Sequence, residues 1–116
     1  MPLFKMNSLI SVIPASDFAA SLAWHQTLFG QPDEVPMEGM AEWEVSPGAW
    51  LQLDGSSEGN MGPAAVVIGV EDVSAARAAL QQANITAGEI ADYGFVRVCD
   101  VRDPDGNRLS FAQLIS

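Results

Sequence analysis

The sequence predicts an α+β domain made of two copies of a β-α-β-β-β unit. When the chain is shifted by about 55 residues, residues 12–18 fall on residues 67–73, and an internal repeat of this kind is the first feature to seek in a fold. Residues 50–53 likewise fall on residues 108–111 near the end of the chain. A chance likeness between two alanine-rich helices would match the helices alone, whereas here strand, aspartate, helix and late strand recur in the same order.

The first unit begins with a short apolar run. Residues 9–14 are rich in β-branched side chains and predict a strand. Apolar residues then recur at helical spacing behind Asp17, which is suited to N-capping, and Gly30 ends the predicted helix. Residues 42–46 and 50–54 predict two further strands joined by a Pro-Gly turn.

The second unit repeats this order. Residues 65–70 predict a strand, and an apolar stripe behind Asp72 predicts a helix. Residues 95–101 and 108–114 predict a hairpin around the turn at residues 103–107, which reads Asp-Pro-Asp-Gly-Asn.

The remaining strand of each unit is less regular. A short strand is predicted near Val35 in the first unit and over residues 85–90 in the second. Residues 56–62, rich in Gly and Ser, predict a linker between a module of residues 1–55 and a module of residues 63–116. The length of 116 residues suits one domain, and because each module is small we expect the two to share a core or to exchange between chains.

Charge and composition narrow the range of functions. The net charge is −10 and the pI is near 4.1, which argues against nucleic acid and anionic membrane surfaces as partners, because both require basic patches. The same charge favours a neutral or cationic ligand. The sequence contains no apolar run long enough to span a membrane and no signal-peptide pattern at its start. The single cysteine, Cys99, excludes an intrachain disulfide and fits a reducing, cytoplasmic location.

Several short motifs resemble those of one superfamily. They are Ile13-Pro14-Ala15-Ser16-Asp17, Ser21, Trp24 and Leu28-Phe29-Gly30 in the first module, and Val70-Glu71-Asp72-Val73 and Asp103-Pro104-Asp105-Gly106-Asn107 in the second. With the paired units, they are similar to the glyoxalase, bleomycin resistance protein and extradiol dioxygenase superfamily, also called vicinal oxygen chelate. The resemblance covers nearly the whole chain and implies that eight strands form an incomplete barrel around a cup.

In metal-dependent members of that superfamily, side chains on the first and fourth strands of each module hold one divalent ion. The matching positions here are Ile10, Gln52, Ala65 and Ser110. Two of them offer no donor atom and two offer only a neutral oxygen, whereas such an ion prefers imidazole and carboxylate ligands. The sole histidine, His25, lies on the first helix and is not expected to be a ligand. The resemblance therefore points to a metal-less branch, with no metal, no cofactor and no assigned catalytic residue.

Strand alternation predicts which side chains line the cup. The apolar residues expected beneath the helices are Leu51, Leu53, Val96, Val98, Leu109 and Phe111. The predicted ligand-binding residues are Ile10, Val12, Glu44, Trp50, Gln52, Ala65, Val67, Phe95, Arg97, Cys99 and Ser110. Trp50 either stacks on a planar ligand or fills the cup, and Arg97 pairs either with an anionic group of a ligand or with a carboxylate on a neighbouring strand.

Three functions follow from these observations. The favoured one is a metal-independent binding protein that holds an apolar or aromatic molecule in the cup, similar to the bleomycin resistance proteins, which bind an antibiotic. The second is a divalent-metal-dependent lyase, isomerase or dioxygenase of the same superfamily, which would need a shifted set of ligands. The third is a non-catalytic dimerisation domain whose cup is plugged by Trp50 and Phe95. A homodimer is expected from the resemblance.

Overall fold

The protein folds as two similar units, in a computed structural model that describes residues 2–56 and 63–115. The first unit contains strand β1 (Leu9–Pro14), helix α1 (Phe18–Phe29), strand β2 (Met40–Ser46) and strand β3 (Ala49–Asp54). The second contains strand β4 (Ala65–Gly69), helix α2 (Val73–Gln82) and strands β5 (Ala91–Asp92), β6 (Val96–Arg102) and β7 (Arg108–Leu114). Within these described ranges, no helix is long and apolar enough to cross a membrane.

Each unit forms its own sheet. The strand order is β1-β3-β2 in the first sheet and β4-β7-β6-β5 in the second. The first strand of each unit pairs in parallel with the last, which places Ile10 opposite Trp50 and Ala65 opposite Arg108. The repeat seen in the sequence is therefore present in the strand register. The α+β prediction is confirmed, and the two sheets do not close into a barrel.

Both helices begin as their sequences predict. The Asp17 carboxylate accepts a hydrogen bond from the backbone N–H of Ala20 at 3.2 Å, and the Asp72 carboxylate accepts one from Ala75 at 3.1 Å. Each aspartate thus satisfies an N–H group that the first turn of a helix leaves without a partner. Gly30 ends α1 at a φ of 78°, a conformation that glycine adopts without steric cost.

A single hydrophobic core joins the two units. Its buried members come from both sheets and from α2, and they include Ile13, Ala41, Trp43, Leu51, Leu53, Val73, Leu80, Cys99, Val101, Leu109 and Phe111. Helix α1 packs on β2 and β3, and α2 packs on β6 and β7. The Trp43 indole N–H also donates to the backbone carbonyl of Gly30 at 2.9 Å, which fixes the end of α1 on the first sheet.

Two predicted strands are not formed in the part of the chain that the structure describes. Near Val35 the chain makes only an isolated bridge to β2. Because Val35 is 62% exposed, adding this segment to the sheet would gain little stability from apolar burial. Over residues 85–90 the chain makes an isolated bridge to β6, and Ile85 turns into the core. The described residues contain seven strands rather than eight. Of the predicted linker, residues 57–62 lie outside the described ranges, and its first residue, Ser56, is exposed.

The Asp-Pro-Asp-Gly-Asn turn ties the two units together. The buried Asn107 side chain donates to the Pro14 carbonyl at the end of β1 (2.9 Å) and accepts from the Ala64 N–H before β4 (2.6 Å). The Asp103 carboxylate accepts from the backbone N–H groups of Asp105 and Asn107 and from the Asn107 amide, at 2.9, 2.8 and 2.7 Å. This turn therefore holds β1 in place relative to the second sheet.

The Asn107→Ala variant tests this connection. The substitution leaves the Pro14 carbonyl, the Ala64 N–H and one Asp103 oxygen without partners at a buried site, so we expect the free energy of unfolding to fall by roughly 2–4 kcal/mol. Urea denaturation measures it. The control is Asn7→Ala at an exposed position, where a change within about 0.5 kcal/mol is expected. Equal losses in the two variants would contradict the role given to the turn.

Candidate functional site

Each sheet has one face covered by a helix and one that is not, which we call the open face. The open face of the first sheet carries Ile10, Val12, Glu42, Glu44, Trp50 and Gln52, and that of the second carries Ala65, Val67, Val98, Asp100, Arg102, Arg108 and Ser110. These assignments follow from alternation, because the intervening residues Leu51, Leu53 and Leu109 are buried in the core.

Apolar side chains on both open faces are accessible to solvent. Ile10 is 48% exposed, Val12 46% and Val67 67%, and Trp50 is only partly buried. Exposed apolar groups that lie close together are typical of surfaces that bind a ligand or another protein.

A cleft of about 320 Å³ lies between β1, the β2–β3 hairpin and β4. Trp50 and Val67 both line it, so the structure brings together one predicted site residue from each unit. Leu9, Val45 and Ile68 add to its apolar wall. A mostly apolar cleft of a few hundred cubic ångströms is typical of small-molecule sites.

One polar pair lies at equivalent positions on each open face. The Gln52 amide donates to the Glu42 carboxylate at 2.6 Å, and the Ser110 hydroxyl donates to the Asp100 carboxylate at 2.6 Å. In both cases the two residues are direct partners across neighbouring antiparallel strands. Gln52 and Ser110, the two superfamily metal positions with a neutral oxygen, are therefore each hydrogen-bonded to a carboxylate on the adjacent strand.

The prediction that Cys99 faces the cup was wrong. Cys99 is fully buried and pairs with Phe111 on the face that α2 covers, whereas Val98, expected to be buried, lies on the open face. Strand β6 has apolar residues on both faces, so its own pattern does not fix its orientation. The pairing with β7 fixes the orientation of β6, because Cys99 and Val101 lie opposite Phe111 and Leu109, which are buried on the helix side.

Arg97 and Phe95 also lie away from the other predicted site residues. Arg97 shares the orientation of Cys99 along β6 and pairs with the Asp92 carboxylate at 3.2 Å, which is the cross-strand alternative that the sequence left open. The Gly94 N–H and Arg97 hydrogen bonds to that carboxylate lower the pKa of Asp92. Phe95 precedes β6 and is 69% exposed.

The Cys99 thiol is not set up as a nucleophile. Its sulfur lies 3.4 Å from the carbonyl of Gly88, and burial raises the pKa of the thiol. A thiol that stays protonated in an apolar environment is chemically inert.

Five open-face residues were not predicted from the sequence, namely Val98, Glu42, Asp100, Arg102 and Arg108. The repeat contains a signal for the last of these, because Trp50 falls on Arg108 when the two copies are aligned. Glu44, which was predicted, lies on the open face opposite Trp50 and accepts from the Gly48 N–H at 3.3 Å.

His25 lies in the core, away from both open faces. Its Nδ1 donates to the Ser21 carbonyl at 2.7 Å, and its Nε2 lies 3.7 Å from the Asp103 carboxylate with no hydrogen-bond partner. Burial lowers the pKa of His25, while the Ser21 carbonyl and the carboxylates of Asp103 and Asp105 act in the opposite direction. Ser21, His25 and Asp103 are all buried, so no substrate reaches them as a hydrolytic triad.

The sequence matches no protein-family model and no curated protein, but solved structures share its fold. A glyoxalase/bleomycin resistance protein from Catenulispora acidiphila is 29% identical, with a TM-score of 0.83 over 94% of this chain and 99% of that one. The chain belongs to the glyoxalase/bleomycin resistance/dioxygenase superfamily. The superfamily fold accounts for the paired units and for the turn before β7.

Other members of the superfamily with this fold have different functions. TnmS3, an antibiotic binding protein from Streptomyces sp. CB03234, is 19% identical, with a TM-score of 0.77 over 99% of each chain. A lactoylglutathione lyase from Agrobacterium tumefaciens is 15% identical, with a TM-score of 0.75 over 97% of this chain and 94% of that one. At these identities the likeness shows the fold alone, so the function must be argued from the site.

The superfamily's metal positions do not fit a divalent ion in this chain. Ile10 and Ala65 carry no donor atom, and the Gln52 amide and Ser110 hydroxyl are already bound to neighbouring carboxylates. Over residues 2–56 and 63–115, no three His, Cys, Asp or Glu side chains are grouped closely enough to hold an ion.

The lowered pKa of His25 predicts that the protein is less stable in mild acid. The unfolded chain takes up a proton at His25 near pH 6.5, and the folded chain does so only at lower pH. Stability contributed by neutral His25 is therefore fully present above about pH 6.5 and declines as the pH falls towards the folded pKa, by at most about 1.4 kcal/mol per pH unit.

Urea denaturation of the wild type and of His25→Gln between about pH 5 and pH 8 measures this dependence, since carboxylates titrate mainly at lower pH. We expect the variant to be destabilised at all these values but to lose the slope below pH 6.5. The same slope in both proteins would contradict the assignment to His25.

Proposed function

We propose that this protein is a metal-independent binding protein that holds an apolar or aromatic small molecule on its open faces. The observation that carries the proposal is the accessible apolar surface around Trp50, which includes Ile10, Val12 and Val67. Burying such groups against a ligand is favourable in proportion to the area removed from water, and an indole ring adds stacking on a planar molecule. The partial exposure of Trp50 and the 69% exposure of Phe95 support an open cup over one that these two side chains plug.

Binding without chemistry fits the residues available. Cys99 and His25, which carry the thiol and the imidazole of this chain, are both buried and away from the open faces. The polar groups beside Trp50 include Glu44, directly opposite it, and the Gln52–Glu42 pair one position along. These groups can orient a ligand by hydrogen bonds.

A homodimer forms part of the proposal. The exposed apolar residues are divided between two sheets that, over the described residues, do not join into a closed barrel. A second copy that brings the open face of one sheet against the other buries this surface and encloses the ligand.

A ligand screen tests the proposal. We expect neutral or cationic aromatic antibiotics and metabolites that bind to raise the melting temperature and to change tryptophan fluorescence, equally with and without EDTA. Trp50→Ala should weaken the affinity of any such ligand by about 10- to 100-fold, because the variant loses both burial and stacking.

Trp24→Ala is the matched control. Trp24 lies on α1, packed against the core, so this variant loses stability but should bind within about twofold of the wild type. Equal loss of affinity in both variants, or binding that EDTA abolishes, would contradict the proposal. The EDTA result would favour the metal-dependent reactions of the superfamily.

A further inference from the structure

Two arginines lie directly opposite each other at the end of the second sheet. Arg102 is the last residue of β6 and Arg108 the first of β7, and the two are direct partners in the antiparallel register. The neighbouring pair, Val101 and Leu109, is buried on the helix side, so both arginine side chains extend from the open face. Like charges opposite each other destabilise a sheet unless something neutralises them.

Neither arginine is neutralised in the described part of the chain. The arginine found in an ion pair there is Arg97, which pairs with Asp92. Arg102 donates to the backbone carbonyl of Gly106 at 3.2 Å, a neutral acceptor in the hairpin turn. The Arg108 Nε–H is buried and has no hydrogen-bond partner among the described residues.

This pair is unusual for so acidic a chain. The protein has 5 Lys and Arg residues against 15 Asp and Glu, yet two of the five cations lie side by side. Asp100, two residues from Arg102 on the same face, hydrogen-bonds Ser110 instead of an arginine. Arg108 also takes the register position that Trp50 takes in the first sheet, so one sheet offers an aromatic ring where the other offers a positive charge.

We propose that Arg102 and Arg108 bind an anionic group, a carboxylate or a phosphate, of a small molecule. Each guanidinium can donate two parallel hydrogen bonds to such a group, and an anion between them removes the repulsion and satisfies the buried Nε–H. This site goes beyond the proposed function, because it takes an anionic group, whereas the surface around Trp50 takes an apolar or aromatic one. The overall charge of −10 opposes anions at long range, so binding depends on contact with this pair.

The test uses inorganic phosphate and acetate as separate probes on the 116-residue protein. Each is titrated at constant ionic strength while amide and arginine side-chain signals are followed by NMR. We expect saturable shifts at Arg102, Arg108 and Gly106 with at least one probe, and the tighter of the two identifies the preferred anion. Arg102→Gln, at an exposed position, should weaken binding by about tenfold or more.

Arg97→Gln is the control, since it removes the same charge from an arginine already paired with Asp92. Its affinity for the anion should stay within about twofold of the wild type. At low salt without a bound anion, Arg102→Gln should also melt higher than the wild type, because the repulsion is gone, and phosphate or acetate should raise only the wild-type melting temperature.

Equal weakening in Arg102→Gln and Arg97→Gln, or no saturable shift up to about 50 mM of either probe, would overturn the anion site. Both probes lack an apolar body, so this result leaves the Trp50-dependent binding of neutral ligands to be decided by the ligand screen. Loss of neutral-ligand binding with the anion site intact would overturn the proposed function instead.

Discussion

Covering only one face of each sheet is the constraint from which the rest of this structure follows. Helices α1 and α2 pack on one side of their sheets, and the core joins both units on that side. The opposite faces keep Ile10, Val12 and Val67 accessible, although burial of such side chains is worth about 1.5–3 kcal/mol each. A surface of this kind gains stability from whatever covers it, and this gain is the physical basis for both the ligand and the second copy in the proposal.

The units hold this arrangement because a polar turn connects them. Asn107 bridges the end of β1 and the start of β4, and the Ser16 hydroxyl donates to the Asp105 carboxylate on the same turn. Each of these side chains satisfies a backbone or side-chain group of the other unit. The turn that is the most recognisable motif in the sequence is thus a structural connector, and the open faces are free to vary in chemistry.

Much of the fold could be predicted from the sequence because several patterns agree on it. Asp17 and Asp72 mark helix starts, and in β3 and β7 the apolar Leu51, Leu53, Leu109 and Phe111 alternate with the polar Gln52 and Ser110. The predicted orientation of β6 was wrong, because both of its faces carry apolar residues and only the pairing with β7 determines which face is buried. The strands predicted near Val35 and over residues 85–90 are not formed. Each segment makes only an isolated bridge at a sheet edge, and such weak pairing produces no regular alternation in the sequence.

The site was harder to predict than the fold for a related reason. Its residues are recognised by what lies opposite them, and cross-strand partners are fixed by register, which the sequence of one strand does not contain. The Gln52–Glu42 pair, the Ser110–Asp100 pair and the opposed arginines all appear only once the strands are aligned. The internal repeat indicates part of this register, since it aligns Arg108 with Trp50 and Ser110 with Gln52.

Native mass spectrometry of freshly purified protein, with and without a chelator, tests most directly the claim that the site works without a metal. We expect a dimer of the 12.3 kDa chain whose mass does not change with chelator, with or without a bound organic molecule. One divalent ion per site that the chelator removes would contradict it, and would mean that the ligands of that ion lie outside the four superfamily positions.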